Sequence, residues 1–298
     1  MRPDELQAWA ARCIPGDGPV EFHRLGDGLV NDTYRVVRGS CVYALRVATA
    51  EPNDLGLDRA WEARVLEFAW AAGLSAQPVR CDPLRGILLT HWIEGSSWTA
   101  EQVRRQSNIG RIAQLARRIH GLPLPEPVRE MNPGRWIDYY GAALLRRPAR
   151  SGGRALHARE SAEMRAAAAA KLARLAALPS VPPVICHGDM HVFNLLDRGR
   201  SLALLDWEYA HASDPLWDLA GWSANNDLPQ DLRRKLLESY LGRAPAPDES
   251  SRLQLLAWLY DYVCILWSEL YSSLHSGAAA AGVAVRAKLL EARLAMRD

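Results

Sequence analysis

Two polar clusters stand out in the second half of the 298-residue chain: His187-Gly188-Asp189-Met190-His191-Val192-Phe193-Asn194 and, twelve residues after Asn194, Asp206-Trp207-Glu208. They offer a carboxylate close behind a histidine, an amide five residues further on, and a second carboxylate after the apolar run Leu202-Ala203-Leu204-Leu205. Phosphoryl transfer needs such a set. One carboxylate orients an attacking hydroxyl and accepts its proton, while an amide oxygen and another carboxylate hold the Mg²⁺ that neutralises the transferring phosphate. Asp and Asn are also common turn residues, and taken singly His187, Asp189 and Asn194 each fit that plainer role. A metal-dependent hydrolase using His187, Asp189, His191 and Asp206 is another option, but the sequence has no second His/Asp cluster for a two-metal site.

The elements that must position these groups differ between the two parts of the chain. Phe22–Leu25, Thr33–Arg38 and Cys41–Val47 are strand-like, with turns at Gly26-Asp27-Gly28 and Arg38-Gly39-Ser40, which suggests an antiparallel meander. Ala60, Trp61, Val65, Phe68 and Ala69 recur at helical spacing before Gly73 and Pro78, and Gly86–Gly95 reads as a buried strand. From there the pattern is helical, so a boundary is expected at Gly95, giving domains 1–95 and 96–298. Helices are expected near 99–120, 134–148, 156–178, 229–242, 250–274 and 278–296, separated by Pro- and Gly-rich breaks that include Pro148–Gly153. The apolar runs Pro182–Cys186 and Leu202–Leu205 should form a small hairpin presenting both polar clusters at one edge.

Composition removes several alternatives. Only Lys171, Lys235 and Lys288 are lysines among 36 basic residues, and none follows a G-x-x-x-x-G-K-[ST] loop, so a phosphate clamp here must use arginine. Five separated cysteines with no C-x-x-C pair argue against a disulfide framework and a structural zinc site, and point to a reducing, cytoplasmic setting. No apolar run approaches the roughly 18 residues that span a bilayer. Residues 101–154 hold 11 arginines against 4 acids, but a net charge of +2 favours solvated helix faces over a nucleic-acid footprint. Neither nucleic acid nor membrane insertion is therefore expected, and the oligomeric state stays open.

The spacing H-x-D-x-x-x-x-N followed by a D-[FW]-x triplet resembles the catalytic core of the aminoglycoside phosphotransferase and choline kinase superfamily, small-molecule kinases that are protein-kinase-like. The resemblance implies an α+β, bilobal fold: a small N-terminal nucleotide-binding lobe with an antiparallel sheet plus one helix, and a larger, mainly helical C-terminal lobe. It implies ATP and Mg²⁺ as cofactors, Asp189 as catalytic base, Asn194 and Asp206 as metal ligands, and His187 as a brace for the loop. The segment Leu25–Tyr34, with Gly26, Gly28, Asn31 and Thr33, resembles the family's phosphate-covering loop. Arg46 stands where the superfamily commonly has a phosphate-contacting lysine, with Glu62 as its partner carboxylate. Arginine there resembles the bacterial choline-kinase-like and thiamine-kinase-like branch; read without the resemblance, the two form an ordinary surface ion pair. His91–Gly95 resembles the interlobe hinge, in which peptide groups around His91 and Ile93 would read adenine. Asp218 would anchor the catalytic loop through backbone hydrogen bonds.

The acceptors implied by that branch are cationic or amine-bearing alcohols such as choline, ethanolamine or thiamine, which proteins hold with aromatic faces and carboxylates. Trp207, Trp217, Trp222, Trp258 and Trp267 follow the second apolar run, and Glu208, Trp222, Asp261 and Glu269 are the pocket candidates. The alternatives are an aminoglycoside or sugar phosphotransferase, and a catalytically silent nucleotide-binding pseudokinase.

Overall fold

The computed structural model describes residues 3–49, 55–146 and 154–295. The chain divides into two compact units, one of Met1–Ser97 with Leu195–Tyr209 and the other of Trp98–Asn194 with Ala210–Asp298. The break Pro148–Gly153 lies outside the described residues, as do the expected ends of the helices at 148 and 296.

In the first unit, α1 (Pro3–Cys13) precedes β1 (Glu21–Asp27), β2 (Asn31–Arg38), β3 (Cys41–Ala48), α2 (Arg59–Ala71), β4 (Pro78–Asp82) and β5 (Ile87–His91). The five strands form one antiparallel sheet in the order β1-β2-β3-β5-β4. Register sets its two faces. Val36 pairs with Tyr43 and Leu45 with Leu89, and these residues pack with Leu6, Trp9, Ala10 and Ile14 of α1. Successive strand residues point to opposite faces, so Arg46, paired with Thr33 and Leu88, lies on the face away from α1. The side chain of Asp58 caps α2 by accepting from the Trp61 N–H at 2.8 Å, which satisfies one of the helix's free N-terminal donors.

Two features depart from the expected pattern. The sheet carries a second helix, α1, whose apolar positions Leu6, Trp9 and Ala10 are too few to stand out among charged neighbours. The strand expected over Gly86–Gly95 ends at His91.

In the second unit, α3 (Ala100–Arg104), α4 (Gln106–His120), α5 (Pro133–Leu145) and α6 (Arg154–Ala176) lead to β6 (Val184–Cys186). Then β7 (Leu195–Asp197) and β8 (Leu202–Leu204) belong to the first unit. The second unit resumes with β9 (His211–Ser213), α7 (Leu216–Asn225), α8 (Gln230–Leu241), α9 (Pro247–Leu274) and α10 (Ala278–Ala295).

The helix expected over 99–120 is broken at Arg105. There the Asn108 side chain donates to the Gln102 carbonyl at 2.8 Å. Such a bond offers the backbone a local alternative to a helical one. The expected hairpin is also corrected. β6 pairs with β9 and β7 with β8, giving two ladders in different units, because β7 and β9, at three residues each, are too short to show periodicity. α7 has no counterpart in the expected pattern either. Leu216 to Ala224 are buried at every position, which erases the amphipathic signal. α9 packs against α5, α6, α7 and α10, so its aromatic residues face neighbours on several sides. No helix among the described residues is long and apolar enough to cross a membrane.

Candidate active site

In the second unit, β6 delivers the chain into the loop His187–Asn194. Gly188 adopts φ 81°, a left-handed conformation that side chains resist. This turn aims two successive N–H groups at one carboxylate: His187 and Gly188 donate to Oδ2 and Oδ1 of Asp218, each at 2.9 Å. The expected anchoring contact of Asp218 is thus present. Burial raises the Asp218 carboxyl, but the hydrogen bond and charge of His120, with those of His187 and the Gly188 N–H, outweigh it and hold the group below the usual carboxylate range.

Past the anchor, the Asp189 N–H points at Nδ1 of buried His187 at 3.4 Å. The Asn194 amide nitrogen donates to both the Asp189 carbonyl and its Oδ2, each at 3.1 Å. That pairing fixes the Asp189 carboxylate and turns the amide oxygen of Asn194, a hard ligand suited to Mg²⁺, away from it. Asn225 ties the same loop to α9, donating to the Met190 carbonyl at 3.2 Å and to the Tyr260 hydroxyl at 2.9 Å. Burial, only partly opposed by Asp189 and reinforced by Arg286, lowers the His191 pKa.

The first unit holds a buried ionic network. Nη2 of Arg46 donates to both oxygens of Glu62 at 2.5 and 2.7 Å, and Nη1 reaches Asp206 at 2.6 Å. Arg59 donates to Glu62 at 3.0 Å, to Glu208 at 2.6 Å and to the Asn31 side-chain oxygen at 3.0 Å, while Asn31 donates to Glu208 at 2.7 Å. The Arg46–Glu62 pair is therefore buried, and the surface-pair reading fails. Burial opposes the charge on Arg46, but Glu62, Asp206 and Glu208 overcome it and raise the pKa, so the guanidinium stays ionised.

Two guanidinium groups face three carboxylates, which leaves one negative charge in excess. The Asp206 side chain is 35% exposed against 2% for Glu62 and 3% for Glu208, so the excess is presented at Asp206. Asp206 also adopts φ 60°, a left-handed conformation uncommon for a residue with a side chain. A partly exposed carboxylate backed by net negative charge suits a divalent cation.

The remaining sequence candidates are distributed as follows. Thr33 faces Arg46 across the β2–β3 ladder. At Gly28 a Cβ would lie 2.2 Å from the Asn31 carbonyl oxygen, so this turn has no room for a side chain; Gly26 pairs with Thr33 at a β1 irregularity. The His91 N–H donates to Gln77 and that of Trp92 to Val42, leaving Ile93 beyond the ladder. Glu208 lies inside the ionic network. Trp222 is fully buried, edge-on to Trp98 at 6.2 Å between ring centroids, and Asp261 is buried against Arg293. Glu269 is half-buried on α9. Sequence reasoning misses Arg59, His120 and Tyr240. Arg59 reads as a helix-start arginine with Glu62 at i+3, and its partner Glu208 is 149 residues away.

Among solved structures, a choline/ethanolamine kinase family protein from Mesorhizobium loti is 28% identical, with a TM-score of 0.72 and 98% of this chain and 99% of that one covered. Choline kinase LicA from Streptococcus pneumoniae is 20% identical with a TM-score of 0.75, covering 97% and 98%. A LicA structure in complex with AMP, also 20% identical, has a TM-score of 0.76 and covers 98% of each chain. The two LicA likenesses bear on the fold. The model of the Phosphotransferase enzyme family matches residues 21–254, a stretch containing both the Arg46 network and the Asp189 loop, so the chain belongs to that family and is a phosphotransferase.

Proposed function

We propose that the protein is an ATP- and Mg²⁺-dependent kinase that transfers the γ-phosphoryl group to the hydroxyl of a cationic or amine-bearing small alcohol, of the kind represented by choline, ethanolamine and thiamine. The observation that carries this reading is the Asp189 carboxylate, held by the Asn194 amide on a loop whose backbone is clamped by Asp218.

In this reading Asp189 accepts the proton of the acceptor hydroxyl as its oxygen forms the bond to γ-phosphorus and the bond from phosphorus to the bridging oxygen breaks, releasing ADP. Asn194 and Asp206 each offer an oxygen that would suit Mg²⁺, which would supply charge neutralisation on the phosphates. Arg46, with both terminal nitrogens on carboxylates, keeps Asp206 in place. Gly26 at the end of β1, Gly28 in the turn after it, and Asn31 and Thr33 at the start of β2 belong to the hairpin assigned to covering the phosphates, and the segment from His91 to Ile93 to the adenine edge. Trp222, Asp261 and Glu269 remain the acceptor-side candidates, whereas Glu208 is better assigned to holding Arg59. The proposed setting is the cytoplasm, in keeping with five free cysteines.

Coupled ADP release with ATP and Mg²⁺ across choline, ethanolamine, thiamine, aminoglycosides and amino sugars tests the reading. Turnover is expected with one of the first three. Turnover confined to the last two classes would replace the acceptor assignment, and ATP binding without turnover on any of them would favour a silent nucleotide binder.

Asp206→Asn removes the exposed charge while retaining an oxygen. It is expected to raise the Mg²⁺ concentration for half-maximal turnover about tenfold or more, because ligand charge sets affinity for a hard cation. An unchanged Mg²⁺ titration would remove Asp206 from the metal site.

A further inference from the structure

His120, the last residue of α4, lies in a chain of buried hydrogen bonds that ends at the loop carrying Asp189. Its Nε2 is 3.2 Å from Oδ2 of Asp218, and its Nδ1 is 2.8 Å from the hydroxyl of Tyr240 on α8. The His120 side chain is 4% exposed and that of Asp218 is fully buried. Oδ2 of Asp218 also accepts the His187 N–H, and Oδ1 the Gly188 N–H. We propose that His120 is a positioning residue for phosphoryl transfer: supported by Tyr240, it holds the Asp218 carboxylate in the one orientation that clamps the peptide groups leading into Asp189. This rests on the kinase reading of Asp189.

Directionality supports the chain. An ionised carboxylate only accepts, so His120 carries a proton on Nε2 and donates to Asp218, while its Nδ1 is paired with the Tyr240 hydroxyl, which burial, with the nearby Cys186 and Asp218, pushes up to about 12. Ring and carboxylate orientation are fixed together, as when a buried carboxylate orients a histidine, but with the histidine here as the support.

His120, Cys186 and Asp218 also bring nitrogen, sulfur and oxygen within 4.8 Å of one another. Their hydrogen bonds account for these atoms without a metal. Asp218 already accepts three N–H groups, and the Cys186 thiol, whose pKa burial drives well above its ordinary value, donates to the Asp214 carbonyl at 3.4 Å. The ionisable groups around Asp218 are His120 on α4, Cys186 on β6, His187 in the loop, Tyr240 on α8, and Asp214, which is itself paired with Arg252 of α9.

His120→Leu removes both hydrogen bonds, His120→Gln restores an N–H donor toward Asp218, and Tyr240→Phe removes only the hydroxyl. A loop displaced by a fraction of an ångström costs rate rather than nucleotide affinity. His120→Leu is therefore expected to lower kcat about 10- to 100-fold with KM for ATP within about twofold of wild type, Tyr240→Phe to lower it a few-fold, and His120→Gln to recover most of the loss.

The pH profile adds a readout that general destabilisation does not move. Asp218 anchors the loop only while ionised, so the anchor is lost as pH falls through its pKa. Without His120 that pKa rises, and the acid limb of kcat shifts to higher pH.

Hydrogen exchange at the His187 and Gly188 amides, measured on the whole protein, should speed up in His120→Leu. This readout needs no acceptor. An inactive wild type would overturn the kinase reading, while unchanged exchange in a folded His120→Leu would overturn the positioning role. Wild-type kcat and an unmoved acid limb would overturn it equally. If His120→Leu does not fold, Tyr240→Phe decides by the same measurements.

Discussion

Turnover by an Asp189→Asn variant is expected to fall about 10²- to 10⁴-fold while its affinity for ATP stays within about twofold of wild type. The substitution is nearly isosteric, and an oxygen remains to accept the hydrogen bond that Asn194 now donates to Oδ2, so the loop keeps its shape and loses only the carboxylate charge. The Asp218 clamp acts on the peptide groups of His187 and Gly188 and is untouched. Steady-state ADP release gives the first quantity and calorimetric titration with ATP the second. A near-wild-type rate in the purified variant would remove Asp189 from the chemistry, whereas equal losses of rate and affinity would mean that the loop had collapsed.

The second large effect concerns Glu208, expected to face the acceptor and found buried in the ionic network. Its Oε2 accepts from Arg59 and Asn31 at 2.6 and 2.7 Å, and Nη1 of Arg46 lies 3.8 Å away. Glu208→Ala leaves the guanidinium of Arg59, only 4% exposed, with the neutral Asn31 amide and with Glu62, a carboxylate that Arg46 already engages. Removing one partner of a buried ion pair costs about 3–5 kcal/mol because the other charge remains out of water. A loss of that size is expected in urea unfolding. A double variant, Arg59→Met with Glu208→Leu, should recover most of it, since the charge left behind is then also gone. A loss below about 1 kcal/mol for Glu208→Ala would show that water reaches Arg59, and would return Glu208 to the candidates for substrate contact.

These sites illustrate what a single sequence discloses. The spacing from His187 to Asn194 is readable because a loop that carries a carboxylate and an amide five residues apart is set by local geometry. Arg46 and Glu62 are readable through a strand and an adjacent helix. Glu208 stands out in sequence but is misplaced by it, since its partners Arg59 and Asn31 lie 149 and 177 residues away and no periodicity links them. His120 looks like a basic residue closing a helix, where a histidine suits the helix dipole without any further partner. The strands β7 and β9 are invisible for want of length, and α7 because burial on all sides leaves no polar face to mark its period. In each case the missing information is a contact between distant segments, which composition and spacing do not encode.

The detour of the chain through residues 195–209 sets an order of assembly. Synthesis proceeds from the N-terminus, and the sheet of the first unit is complete once His91 has been made. Arg46 and Arg59 must then wait through more than a hundred residues, including α3 to α6, before Asp206 and Glu208 are made. Until then Glu62 is the one carboxylate of the network present for two guanidinium groups, and the early sheet carries an excess positive charge that disfavours their burial. A fragment cut at Ser97 is in the same position permanently. The first unit therefore cannot be isolated by a single truncation, and a nascent chain commits to it only when the strand that brings Asp206 arrives.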